Sequence, residues 1–172
     1  VALGTYALST DTLGSRAVAI GHGALLTQNF TSATNNYNVG VGHSAGRAVT
    51  TGVNNTFIGG LAGDTTTTGA NNTAVGFDSL TSNTTASGNS AFGQSSLKNN
   101  TTGTSNTGLG GQALQTNSTG SSNTAVGVLA LYANTTPSNN TAVGYNSLTA
   151  NTTGANNVAI GSLTLDAATT AT

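Results

Sequence analysis

Asn72-Thr73-Ala74-Val75-Gly76 returns residue for residue as Asn140-Thr141-Ala142-Val143-Gly144, with further copies between and on either side. The closing glycines of these phrases set the interval. Along the whole chain they are Gly4, Gly21, Gly42, Gly59, Gly76, Gly93, Gly110, Gly127, Gly144 and Gly161. Every step is 17 residues except the second, from Gly21 to Gly42, which is 21. A constant period of this length marks identical supersecondary units stacked in a row, not a globular fold.

The most regular part runs from about Gly69 to Leu165. Its unit reads Asn-Thr-Ala-Val-Gly, then a Ser/Ala-Leu pair, then Asn-Thr-Thr-Gly and a short polar link. The pair appears as Ser79-Leu80, Ser96-Leu97, Ala113-Leu114, Ala130-Leu131 and Ser147-Leu148. The loop appears as Asn83-Thr84-Thr85, Asn100-Thr101-Thr102, Asn117-Ser118-Thr119, Asn134-Thr135-Thr136 and Asn151-Thr152-Thr153. In Val158-Ala159-Ile160-Gly161 the branched residues fall on one face and Ala and Gly on the other, which is strand alternation. Helix is the poor reading, because β-branched residues are frequent, glycine interrupts every unit and no 3.6-residue stripe persists.

Composition excludes several classes. Only 4% of the 172 residues are charged and the formal net charge is -1. Disorder normally accompanies high net charge, and a disordered linker has no reason to keep aliphatic residues in register. Arg16, Arg47 and Lys98 are the only basic residues, too few to neutralise a nucleic-acid backbone. No apolar run approaches the roughly 20 residues that span a bilayer, so no membrane insertion is expected. The chain has no cysteine for a disulfide framework. Opening on Val1 partway through a unit, it reads as a segment or processed product of a longer polypeptide.

The expected fold is all-β: a β-solenoid of about ten 17-residue coils in a single repeat domain over 1-172. Regular coils cover about 1-165, an insertion lies near 26-36, and a frayed tail is expected over 167-172. Coils about 4.8 Å apart make a rod on the order of 50 Å long. Asn55, Asn72, Asn89, Asn106, Asn123, Asn140 and Asn157 fall on one rung, where side-chain amides can bond along the stack. A repeated charge would face copies of itself, which accounts for the scarcity of Asp, Glu, Lys and Arg. Two aliphatic side chains per coil are little return for ordering 17 backbones. The Gly/Ala face looks suited to close approach by another backbone, so several chains around an axis, most simply three, are expected.

The phrases Ala17-Val18-Ala19-Ile20-Gly21 and Asn157-Val158-Ala159-Ile160-Gly161, followed three residues on by Ala or Ser, resemble the head repeats of trimeric autotransporter adhesins. The longer Asn-Thr-Ala-Val-Gly to Asn-Thr-Thr-Gly unit is similar to repeat regions of bacteriophage tail-fibre proteins. The resemblance covers Val1 to about Leu165. It implies a left-handed, homotrimeric β-roll that serves attachment or forms a fibre shaft on a virion or bacterial cell surface. The adhesin repeat is generally shorter, and the extra length here lies in the Asn-Thr-Thr-Gly loop.

Four residues stand out as surface-binding candidates. His22 and His43 follow the repeat glycine in successive units and should stack, so a trimer would gather six imidazoles where a metal or anion could bind. The plainer reading is two surface residues at a variable position. Phe30 lies in the insertion and Tyr37 just beyond it, in a chain otherwise poor in aromatics. The plainer reading there is a tolerated insertion packing its own ring. No catalytic set is expected. Ser44, His43 and Asp78 make a triad only on paper, and Gly40-Val41-Gly42-His43-Ser44-Ala45-Gly46 lacks the Lys of a phosphate loop. Asp11, Asp64, Asp78 and Asp166 share no register, so no calcium ladder, other metal centre or cofactor is expected. Sequons at Asn83, Asn100 and Asn151 follow automatically from the repeat.

The leading functional expectation is a non-enzymatic structural fibre segment, extracellular, that partners with itself and presents a surface to a cell-surface receptor or glycan. Two alternatives stand beside it. One is a filament subunit stacking end to end through open strand edges. The other is an ice-binding solenoid, whose Thr-Thr pairs would supply hydroxyls. Adjacent strand residues point to opposite faces, however, which weakens a flat two-column Thr array.

Overall fold

The computed structural model of the chain describes residues 1-170. It is all-β, with no helix among the described residues. Ten strands, from Ala2–Leu3 through Val18–Ile20, Val39–Val41 and Thr56–Ile58 to Val158–Ile160, form one parallel sheet in chain order. Each strand pairs only with its neighbours in sequence, so the chain is a β-solenoid of about nine turns. The rungs hold the 17-residue register: Thr73 pairs with Ser90 and Thr124 with Thr141. At strand spacing, nine steps make a rod about 43 Å long.

The interior differs from the expectation for the Gly/Ala face. Ala19, Ala74, Ala91, Ala125 and Ala142 are fully buried inside their own chain. They face Leu25, Leu80, Leu97, Leu114, Leu131 and Leu148, which are also fully buried. The backbone that approaches this face is therefore the returning half of the same coil. The coil is too thin to oppose branched side chains from both halves, so the strand contributes alanine and the turn contributes leucine. The branched residues point outward.

Closing so tight a coil needs left-handed backbone at four recurring places. In one unit these are Gly76 (φ 135°), Asp78 (62°), Leu80 (52°) and Gly88 (73°). A bulky residue such as Leu is rare at positive φ. It persists here because coil-to-coil hydrogen bonds fix it: the Leu80 amide donates to the Ser96 carbonyl at 3.0 Å, and Leu97 repeats this with Ala113. The repeat glycine is required by closeness as well as angle. A Cβ on Gly110 would lie 2.5 Å from the Gly127 carbonyl oxygen.

Two asparagine ladders line the rest of the interior. Along Asn38, Asn55, Asn72 and onward to Asn140, each Oδ1 accepts the backbone N–H of the next rung at 2.9 to 3.0 Å, Asn157 being the last donor. Each Nδ2 up to Asn140 donates to a carbonyl fourteen residues on, as Asn106 does to Gly120 at 2.7 Å. Amide-to-amide bonds of the expected kind also occur, between Asn72 and Asn55 and between Asn123 and Asn106. The second ladder lies in the segment that the sequence places in a polar loop. Asn83, Asn100, Asn117, Asn134 and Asn151 are instead fully buried, and their amides bond one to the next at 2.8 to 3.3 Å.

The long coil keeps the regular ladder up to Asn29, whose amide reaches the Thr50 carbonyl at 3.1 Å. The strand Thr34–Asn35 pairs with Gly14–Ser15 in a second small sheet at an offset of 20, and Val39 pairs with Val18 at 21, so three of the four extra residues fall within 30-33 and the fourth between Asn35 and Val39. At the other end, the Ala168 amide bonds the Leu165 carbonyl, and Thr169 accepts from Thr152 and Thr153. Within the tail expected over 167-172, Ala168 and Thr169 thus keep backbone hydrogen bonds, while 171-172 lie outside the described residues.

Candidate functional site

The described residues enclose no cavity, so the functional surface is sought on the outside of the rod. Alternation turns the first and third residues of each strand outward on the large sheet. The third position carries Ile20, Val41, Ile58, Val75, Phe92, Leu109, Val126, Val143 and Ile160. These side chains are half-buried or exposed, with Ile58 39% and Leu109 48% accessible. An unbroken apolar column thus runs the length of the rod, beside a column of Thr56, Thr73, Ser90, Thr107, Thr124 and Thr141. Such a contiguous apolar strip marks a contact surface more often than a solvated one.

His22 and His43 stack as the register requires. Their ring centroids are 5.3 Å apart and their planes differ by 8°. Both residues are exposed, and Tyr6 closes the other side of His22 edge-on at 5.7 Å. Asp78 stands two coils beyond His43 and is engaged elsewhere, so no carboxylate from it backs the imidazole.

The two aromatics near the insertion have different fates. Phe30 is buried, 6% exposed, and its ring is not presented to a partner. Tyr37 is 48% exposed and belongs to the left-handed corner column with Asn54 and Asn71. Arg16, one coil earlier, donates from Nη1 to the Tyr37 hydroxyl at 2.6 Å and lies 5.4 Å from its ring centroid. This pairing follows from the register, because both residues fall one position before the inward rung of their coils.

Charges are placed by the same logic. Arg47 and Asp64 share a column in successive coils and form a two-pronged ion pair at 2.8 and 3.1 Å. Lys98 bridges to Asp78, which also accepts from the Thr81 hydroxyl at 2.7 Å. Burial pushes the Asp78 carboxyl up, but the Lys98 and Thr81 hydrogen bonds and the Lys98 charge outweigh it and hold the group below its ordinary value. Sequence reading gave the repulsion between like charges and missed these pairs, although Arg47 and Asp64 are 17 residues apart.

The Thr-Thr pairs divide their work. The first hydroxyl of a pair donates along the stack, as Thr67 does to the Thr84 carbonyl at 3.0 Å and Thr101 to Ser118 at 3.0 Å. The second forms a single exposed column: Thr68, Thr85, Thr102, Thr119, Thr136 and Thr153. The sequon asparagines Asn83, Asn100 and Asn151 are buried, with their amides committed to the ladder.

No helix among the described residues is long and apolar enough to cross a membrane. Comparison of the chain with protein-family models, with curated proteins and with solved structures finds no match.

Proposed function

We propose that the chain is a non-enzymatic structural segment, shaft or head, of an extracellular fibre on a virion or bacterial surface. Three copies pack as a left-handed homotrimeric β-roll, and the assembled rod extends and presents a surface to a receptor or glycan. One observation carries this reading: the outward apolar column from Ile20 to Ile160 that a single chain leaves partly or fully open to water. Its rungs repeat at the spacing of the sheet, so an identical copy matches it along the whole length. The resemblance of the Val-Ala-Ile-Gly phrases to adhesin head repeats supports the same arrangement.

The test is to charge the column without touching the interior. Ile58→Lys with Leu109→Lys changes only outward positions, so the circular dichroism of the coil should survive. The expected result is a fall in native mass to that of one chain. A native mass of three chains that persists unchanged with both lysines in place would refute packing through this face.

A further inference from the structure

We propose that His22 and His43 form a two-imidazole chelate for a borderline divalent transition metal of the Ni2+, Cu2+ and Zn2+ class. The metal would clip together the two coils that flank the irregular step. The pair lies within one chain, so the proposal does not rest on the fibre reading.

Imidazole is the nitrogen ligand these cations favour, and the two rings already stand side by side. Two nitrogens bound to one such ion at 2.0–2.1 Å lie about 3 Å apart. From a centroid separation of 5.3 Å, the ring tips must therefore close by about 2 Å. Side-chain rotation can supply that movement, because both residues are exposed. The backbones need not shift and are well held: the Ser44 amide donates to the His22 carbonyl, and the Leu61 amide to that of His43, each at 2.9 Å.

The surroundings leave room for the ion. The next position in the column is Gly60, which has no side chain to crowd the outer face of His43. Tyr6 rests edge-on against His22 and limits its drift away from its partner. The charged side chains that pair nearby, Arg47 with Asp64, satisfy each other and do not compete for the imidazoles. Two protein ligands leave the remaining coordination positions to water. Binding is confined to the folded chain, since 21 residues separate the two histidines when it is unfolded, and a ligand specific for the native state stabilises it.

Nickel chloride is the probe, titrated calorimetrically into the untagged full chain and followed by thermal unfolding. The expected result is one Ni2+ per chain and a raised melting temperature. His22→Ala and His43→Ala should each weaken binding at least roughly tenfold, since even outer-shell partners of metal ligands are worth that much. Each should also abolish the rise in melting temperature while leaving the metal-free dichroism spectrum unchanged. His22→Gln and His43→Gln serve as variants that keep side-chain volume and should behave as the alanines do. Binding equal to wild type in any of these variants would overturn the proposal. So would a stoichiometry of one metal per three chains, or no binding at all.

Discussion

Phe57 occupies the interior space that Gly63 leaves vacant. The strand-centre column is otherwise Ala or Gly, and the facing column is Leu except at Gly46 and Gly63. A Cβ on Gly46 would come within 2.6 Å of the Phe57 ring, and one on Gly63 would press on the same ring from the other side. One large ring thus fills the space left by two missing leucine side chains. Phe57→Ala should cost about 3–5 kcal/mol, the range for emptying a buried aromatic site. Gly63→Leu should destabilise the parent chain yet recover part of the loss in the Phe57→Ala background. A double-mutant cycle in urea measures this, and additive effects would contradict the pairing.

The asparagine ladder predicts a loss larger than its modest side-chain volume. Asn106 Oδ1 accepts the Asn123 amide at 3.0 Å, and its Nδ2 donates to the Gly120 carbonyl at 2.7 Å, all out of water. Asn106→Ala strands both groups, each worth about 1–3 kcal/mol when buried without a partner. Urea unfolding should show a loss of at least about 2 kcal/mol. A loss within error of an exposed control such as Asn99→Ala would exclude the ladder as a source of stability.

Two adjacent glycines should respond oppositely to alanine. Gly110 has φ 141° and would place a methyl 2.5 Å from the Gly127 carbonyl, so Gly110→Ala forces the coils apart. Gly111 has open space around its Cβ position and no left-handed backbone. Gly111→Ala should be neutral or gain about 0.4–1 kcal/mol by restricting the unfolded chain, whereas Gly110→Ala should lose more than that. Thermal unfolding of the two variants gives the comparison, and similar melting temperatures would be inconsistent with it.

Acid should weaken the Asp78 contact in a defined direction. The folded carboxyl titrates below its ordinary value, so its contribution is full above the unfolded pKa of about 3.9 and is lost as pH falls through the folded value. Lys98 is partly exposed, so Lys98→Ala should cost no more than about 1 kcal/mol at neutral pH. That difference should vanish as the pH drops below 4, in the window set by the lowered value. A difference that persists in acid would show that Lys98 acts through packing.

Much of this architecture was legible because the period is strict. Counting in seventeens placed the strands and the Asn55 to Asn157 rung, and counting from the repeat glycine across its one 21-residue step placed the His22–His43 stack, since like positions must lie on like positions. Alternation could divide each strand into two faces but could not say which was inside. That depended on the thinness of the coil, which becomes evident only once the buried leucines are seen to face Ala19 and its equivalents. The second ladder was hidden because Asn83-Thr84-Thr85 has the composition of a turn. The left-handed leucines carry no sequence signal, because leucine is a poor choice for that conformation anywhere the neighbours do not impose it. Phe30 stood out as the aromatic of the insertion, and sequence alone could not tell that its ring turns inward.

The central functional proposal is that three chains pack through the outward apolar column of the sheet. Native mass from light scattering coupled to size exclusion tests it most directly, at neutral pH and without added metal. Three times the chain mass of 16.7 kDa is the predicted result, and a particle of a single chain's mass would contradict it.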